Sequence, residues 1–172
     1  GETPLIIAIN NNNFGMVTFL VEHGADFLSK NDAGKTPLFY AYTKNNAGII
    51  NYLKLKKAEI SDKEIESAHL QGCMSNMKNI ATALEMFYVD NKHYPESLQE
   101  MVPNYMHYIP ACPATGKQTY MNAYKPSNNS KNYSFYCQGK NHTKAGMPED
   151  YPKYNDAQGI IKPSAQGSSM PF

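Results

Sequence analysis

The sequence contains no arginine: all sixteen basic residues are lysines, and the formal net charge is only +1. Without a guanidinium group the chain lacks the side chain that grips phosphate through two parallel hydrogen bonds. Its small net charge provides no large field to attract nucleic acid or acidic lipid. The sequence also lacks an apolar run of about eighteen residues and a charged-then-apolar leader. We therefore predict no nucleic-acid binding, no membrane span and no export signal in this chain.

A repeated motif dominates the first part of the chain. Thr3-Pro4-Leu5 returns as Thr36-Pro37-Leu38, an offset of 36 − 3 = 33 residues, and small and apolar residues agree at the same offset. Threonine followed by proline suits the start of a helix, because the hydroxyl caps backbone N–H groups and proline has a fixed φ and no N–H to leave unpaired. The repeat predicts two units of helix, turn and helix within residues 1–60.

This repeated unit resembles an ankyrin repeat in its period and in the motif that begins at Gly34. The resemblance implies a stack of helical hairpins that binds a protein partner and does not catalyse. Because the chain opens inside a repeat and two repeats bury little surface, we expect further repeats upstream. In the ankyrin family the loop tips and first helices form the binding surface, which by motif position gives the candidate residues Glu2, Asn10, Asn11, Asp32, Ala33, Lys35, Thr43 and Lys44.

The repeat stops after Ile60, and a different pattern follows. Ser61 and Glu64 have the spacing of a capping box, in which each side chain binds the other residue's backbone N–H. An apolar stripe from Cys73 to Phe87 then predicts one amphipathic helix of about thirty residues with a single buried face.

Shorter elements are predicted beyond the long helix. A short helix is expected around Ser97–Val102, and alternating aromatic and polar residues predict antiparallel strands at Thr119–Tyr124 and Tyr133–Cys137. The chain from Gly139 onward is predicted to be loop, and residues 161–172 a disordered tail.

The order of motifs in residues 63–160 resembles the globular head of type IV pilins and of the pseudopilins of type II secretion. The motifs include Tyr94-Pro95-Glu96-Ser97-Leu98, Ile109-Pro110-Ala111-Cys112-Pro113 and Tyr133-Ser134-Phe135-Tyr136-Cys137. The resemblance implies a long amphipathic helix packed on a small antiparallel sheet. The predicted fold class is α+β, with ankyrin-like repeats at 1–60 and a pilin-like domain at 61–160. Ankyrin-like repeats stand where pilins carry an apolar anchoring helix.

The pilin resemblance also implies a disulfide between Cys112 and Cys137, and hence an oxidising compartment. A competing hypothesis gathers Cys73, Cys112, Cys137 and His142 into a structural zinc site, although no Cys-x-x-Cys knuckle supports it. A third hypothesis pairs His69 with Cys73 as base and nucleophile on one helix face, without a third catalytic group beside them.

Calcium is a further alternative, because some pseudopilins bind it through oxygen ligands in the carboxy-terminal loop. The oxygen donors in that loop are Asn141, Glu149, Asp150, Asn155 and Asp156. Their spacing matches no calcium-loop motif, so no metal ligand and no cofactor is assigned.

Together these patterns predict a non-catalytic protein–protein interaction module of the cell envelope, acting outside the cytoplasm. The ankyrin face would bind a protein partner, and the pilin-like head would serve as a spacer or second contact. The alternatives are a pilin-like subunit of a secretion or fibre system and a metal-binding protein. Self-association through the strands and tyrosines is a further hypothesis.

Overall fold

The computed structural model describes residues 2–127 and 129–163. These residues divide into two compact units. The first contains the described chain up to Ser75 together with Ala111–Lys117, and the second contains Asn76–Pro110 together with the described chain from Gln118 onward. The division therefore falls after Ser75, whereas the sequence analysis placed a boundary at residue 60.

The first unit begins with four short helices. They are α1 (Pro4–Asn10), α2 (Phe14–Glu22), α3 (Pro37–Thr43) and α4 (Ala47–Leu55). The predicted threonine caps are present, since the hydroxyl oxygens of Thr3 and Thr36 each accept a backbone N–H at 3.3 Å. Asn13 and Asn46 cap α2 and α4 in the same way. The sequence repeat is thus a repeat of local structure, with the same caps at the same positions.

The turns that follow α2 and α4 each contain a residue with a positive φ, although the two residues differ. Gly24 has a φ of 90° and Lys57, which stands 33 residues later, has a φ of 66°. A left-handed conformation costs a residue with a Cβ roughly 1–2 kcal/mol, which glycine avoids. The substitution at Lys57 therefore keeps the turn and adds strain to it.

One apolar cluster holds the four helices together. Its members come from both copies of the repeat and are nearly or fully buried: Leu5, Ala8, Ile9, Val17, Val21, Leu38, Ala41, Ile49, Ile50, Leu53 and Ala58. Burial of the leucine, isoleucine and valine side chains in this cluster stabilises the fold by about 1.5–3 kcal/mol each. Shared packing, more than the stability of any single short helix, therefore maintains this unit.

A single long helix follows as predicted. Helix α5 (Asp62–Asn91) has 30 residues, and the Ser61–Glu64 capping box is formed, with backbone bonds of 3.2 and 3.3 Å. The predicted stripe from Cys73 to Phe87 is buried, with exposures of 0–7%. No helix in the described part of the chain has the length and hydrophobicity needed to cross a membrane.

Gly72 explains why the start of α5 belongs to the first unit. A Cβ at this position would collide with the backbone carbonyl oxygen of Thr43 and lie 3.0 Å from the ring of Pro113. Only glycine allows the helix backbone to approach another backbone so closely. The first turns of α5 are thus fixed against the end of α3.

The second unit contains a four-stranded sheet in which neighbouring strands are antiparallel. The strands are β1 (Lys125–Ser127), β2 (Asn132–Tyr136), β3 (Lys153–Asn155) and β4 (Gly159–Ile161), paired in chain order. The α+β class is confirmed.

Three of the predicted elements in this unit are wrong. The segment Thr119–Tyr124 is not a strand, because it contains a 3-10 helix at Met121–Ala123. The loop predicted beyond Gly139 includes β3 and β4, and Ile161, assigned to the tail, pairs with Lys153. Residues 164–172 of the predicted tail lie outside the described residues. The helix expected around Ser97 is a 3-10 helix at Leu98–Met101.

Buried tyrosines connect α5 to the sheet. The phenol groups of Tyr94 and Tyr133 donate hydrogen bonds of 3.0 and 3.1 Å to the carboxylate of Glu85, and the two rings pack edge to face at 4.6 Å. Tyr124 donates to the carbonyl oxygen of Pro95 at 2.9 Å. Each hydroxyl in this buried group therefore has an acceptor, which removes the cost of leaving it unpaired.

This tyrosine group predicts that the second unit loses stability at alkaline pH. Burial, and secondarily nearby carboxylates, raise the pKa of Tyr94, Tyr124 and Tyr133 well above the ordinary value of 10.0. The unfolded chain releases these protons near pH 10 while the folded chain retains them, so the free energy of unfolding falls as the pH rises above about 10. Urea unfolding followed by circular dichroism at about pH 8 and pH 10.5 measures the loss. Tyr133→Phe should show a shallower decline, and an equal slope in both proteins would contradict this explanation.

Candidate functional site

Asn31 organises the loop tip that precedes α3. Its side-chain oxygen accepts the backbone N–H groups of Ala33 and Lys35 at 3.1 and 3.0 Å, and its backbone N–H donates to the carbonyl of Lys35 at 3.0 Å. Its amide nitrogen donates to the Tyr40 hydroxyl at 2.9 Å. These bonds fix a turn on which the candidate residues Asp32 and Ala33 are exposed.

Two of the predicted binding residues lie on or beside α3 with their charges accessible. The ammonium of Lys35 lies 4.3 Å from the centre of the Phe39 ring, so a cation–π contact orients this partly exposed side chain. Lys44 is exposed at the end of the helix. Thr43 is different: it is only 8% exposed and donates its hydroxyl hydrogen bond to the carbonyl of Tyr40 at 2.8 Å. Its side chain is thus bonded within its own helix, and little of it is accessible to a partner.

The remaining predicted residues surround α1. Glu2 is exposed and accepts a hydrogen bond of 3.1 Å from the amide of Asn10. Asn11 is exposed at the carboxyl end of the helix. Asn12 follows with a positive φ of 53°, and Asn13 caps the next helix. The four consecutive asparagines at positions 10–13 therefore mainly form a turn and cap the adjoining helices. Asn10 and Asn11 border the candidate binding face.

The zinc hypothesis named Cys73, Cys112, Cys137 and His142 as donors. Cys73 and Cys112 belong to the first unit, and Cys137 and His142 belong to the second. All four residues are buried, with exposures of 0, 0, 0 and 1%. Within the second unit, the Cys137 Sγ and the His142 Nε2 lie 3.7 Å apart. The zinc hypothesis stays a prediction.

The predicted disulfide between Cys112 and Cys137 is absent from the structure, where both residues are thiols. Cys73 is likewise a buried thiol. His69, its hypothetical partner in catalysis, packs its ring against Tyr42 at 5.7 Å.

The candidate calcium donors are used in separate local contacts. The Asp150 carboxylate accepts the Gly139 N–H at 2.6 Å, and Asp156 accepts the Asn132 amide at 2.6 Å. Glu149 forms an exposed ion pair with Lys140 at 3.7 Å. The side-chain oxygen of Asn155 accepts the Gln158 N–H at 2.7 Å, and the amide of Asn141 donates to the Gln138 carbonyl at 2.8 Å. These residues stabilise the loop individually, so their geometry does not favour a calcium site.

Comparison with known proteins identifies the family of the first 64 residues. Residues 1–64 match the family model described as Ankyrin repeats (3 copies). This part of the chain consists of ankyrin repeats. No curated protein and no solved structure matches the chain. The ankyrin resemblance is thus confirmed, while the pilin-like resemblance stays a prediction.

Sequence reasoning missed the residue that shapes the ankyrin loop tip. The motif pointed to exposed positions such as Asp32 and Lys35 but not to Asn31, whose side chain holds their backbone. Asparagine favours such turns because its short amide can bind backbone groups two to four residues ahead. An asparagine directly before the tip was the available signal.

Proposed function

We propose that the protein is a non-catalytic interaction module whose ankyrin loop face binds a protein partner. The loop face is defined by Glu2, Asn10, Asn11, Asp32, Ala33, Lys35 and Lys44. Ankyrin repeats are protein-binding modules, which supports the class of function. The observation that carries the proposal is the loop tip fixed by Asn31, with exposed side chains on an ordered backbone.

Preorganisation of this tip favours binding. A flexible loop loses conformational entropy when a partner orders it, and this loss weakens the complex. Here three hydrogen bonds to the Asn31 side chain fix the tip before any partner arrives. Contact with Phe39 likewise restricts Lys35, a side chain that would otherwise have many rotamers.

The charges on the loop face indicate the kind of partner. Asp32 and Glu2 are acidic, Lys35 and Lys44 are basic, and the face has no excess of one sign. Mixed charges of this kind select a surface with complementary charges of both signs and disfavour a polyanion. A folded protein with acidic and basic side chains beside each other fits this face.

The test is a triple variant of the loop face. Asp32→Ala, Lys35→Ala and Lys44→Ala together are expected to weaken the complex about ten-fold or more, because several contacts near the centre of an interface are removed at once. The partner is first identified by capture with the intact chain. Its affinity is then measured with both proteins purified.

The matched control removes the same charges elsewhere on the first unit. Lys54→Ala, Lys56→Ala and Glu59→Ala also delete two lysines and one acidic residue, all exposed and outside the loop face. Affinity should be unchanged. An equal loss in both triple variants would show that net charge, rather than the loop face, determines binding, and an intact complex in the first variant would refute the proposed surface.

We further propose that the second unit acts as a pilin-like spacer or second contact, outside the cytoplasm. Support comes from the motif order in the sequence and from the combination of a long helix with a small antiparallel sheet. Without the disulfide, the extracytoplasmic location depends on that resemblance alone. Fractionation of cells that express the protein tests it, and recovery only in the cytoplasmic fraction would overturn the location.

A further inference from the structure

We propose that Cys73 and Cys112 form a reversible disulfide inside the first unit. Both residues belong to that unit, Cys73 as part of α5 and Cys112 as part of the segment Ala111–Lys117. Their Sγ atoms lie within 4.8 Å of each other, although the two positions are 112 − 73 = 39 residues apart in the chain. The structure holds both as thiols and therefore shows the reduced form of the pair.

The gap between the two sulfurs is small enough to close. A disulfide has an S–S length of about 2.05 Å, so each sulfur has to move by at most about 1.4 Å. Small changes in χ1 and in the backbone cover that distance, because the sulfur is one bond from the Cβ about which it turns. Formation of the bond therefore requires no rearrangement of the helices.

The backbones that carry the two cysteines approach each other closely. A Cβ at Gly72 would lie 3.0 Å from the ring of Pro113, and these two residues directly adjoin Cys73 and Cys112. Disulfides join residues whose Cα atoms are usually about 4.4–6.8 Å apart, so they need segments in contact. The contact between Gly72 and Pro113 meets this requirement.

Both cysteines are held in ordered backbone. Cys73 lies inside a helix, and the Cys112 N–H donates to the Lys117 carbonyl at 2.8 Å while its own carbonyl accepts from Gly116 at 2.7 Å. Both side chains are 0% exposed, which leaves little room for a bulky small-molecule thiol on either sulfur. Order and burial thus favour the bond between the two cysteines over mixed disulfides with small thiols.

The oxidant in the proposed reaction is a small disulfide such as oxidised glutathione. One cysteine sulfur attacks the oxidant and releases one glutathione, and the second cysteine then attacks this mixed disulfide and releases the other. The protein loses two electrons and two protons, which the two glutathione thiols receive. Because both residues are buried, the exchange requires local opening of the first unit and is slow.

The bond would fix the segment Ala111–Lys117 to α5. This segment enters the first unit from a distant part of the chain, and the crosslink joins it to the unit covalently. A crosslink between positions 39 residues apart also removes conformational freedom from the unfolded chain. Oxidation should therefore stabilise the first unit.

The first experiment maps the bond in the intact chain. Reduced and oxidised protein are each equilibrated in glutathione buffers from reducing to oxidising, free thiols are alkylated, and the chain is cleaved after lysine. Each cysteine then lies in its own peptide, 64–78, 93–117 or 132–140. The expected product links 64–78 to 93–117 and leaves 132–140 alkylated. Any link to 132–140, or three alkylated peptides in the most oxidising buffer, would overturn the proposal.

Matched variants then test the effect on stability. Oxidation should raise the midpoint of thermal unfolding, followed by circular dichroism, by about 10 °C or more in the unchanged chain and in Cys137→Ala. Cys73→Ala, which lacks one half of the pair, should have the same midpoint with and without oxidant. An equal rise in Cys73→Ala would show that the stabilisation comes from another source, and equal midpoints in the unchanged chain would refute the stabilising role of the bond.

Discussion

The variant Gly72→Ala is expected to lower the free energy of unfolding of the first unit by about 3 kcal/mol, as forced overpacking does. The new Cβ would collide with the carbonyl oxygen of Thr43, and Pro113 lies 3.0 Å from it on another side. A backbone carbonyl at the end of a helix cannot rotate away as a flexible side chain can. Helix α5 must therefore separate from α3. Chemical denaturation followed by circular dichroism measures the loss.

The control for this variant is a glycine that is also helical but has space around it. A Cβ at Gly15 in α2 would meet only the Asn13 side-chain oxygen, at an ordinary contact distance of 3.7 Å. Gly15→Ala should leave stability unchanged or raise it by up to about 1 kcal/mol, since alanine favours helix. Similar behaviour of the two variants would contradict the close approach assigned to Gly72.

The second large effect is expected at Leu53 in α4. This side chain is fully buried in the ankyrin core. Leu53→Ala removes its contacts and leaves a cavity, so the free energy of unfolding should fall by about 2–5 kcal/mol. Denaturant unfolding monitored by the circular dichroism of the helices measures the change. The dependence of the free energy of unfolding on denaturant concentration shows whether the unfolded state is also affected.

Leu55 provides the comparison, two residues further along the same helix. It is 83% exposed, and Leu55→Ala should change stability by no more than about 0.5 kcal/mol. Both variants remove the same atoms from the same type of residue, so their difference isolates burial. Equal destabilisation would mean that α4 does not present its Leu53 face to the core.

Local signals account for the parts of the fold that the sequence predicted well. The caps at Thr3 and Thr36 and the capping box at Ser61 involve residues three apart, so their spacing is visible in the chain itself. The stripe in α5 extends over several turns, which makes its period unmistakable. These signals required no knowledge of tertiary contacts.

The errors in the second unit have an equally local explanation. Tyr120 and Tyr124 are both buried, and a separation of four residues fits one helical turn as well as two steps of strand alternation. The period therefore could not distinguish the 3-10 helix at Met121–Ala123 from a strand. Strands β3 and β4 have three residues each, too few to show an alternating pattern.

The candidate sites differ in how far the sequence could reveal them. Exposed loop-tip residues follow from the position of a repeat motif, but the burial of Thr43 depends on its hydrogen bond within α3. The cysteine and histidine donors are separated by long stretches of chain, so their spacing in the sequence does not show which of them come together. The pairing of Cys112 with Cys137 came from the pilin resemblance alone, and in the structure both residues are thiols.

The hydrogen bonds from Tyr94 and Tyr133 to the Glu85 carboxylate also have an optical consequence. The chain has thirteen tyrosines and no tryptophan, so its ultraviolet emission comes from phenol rings alone. A carboxylate that accepts a phenol proton quenches fluorescence, and contact between the rings adds to the quenching. Separation of β2 from α5 should release these fluorophores and brighten the emission, giving a label-free signal for opening of the second unit.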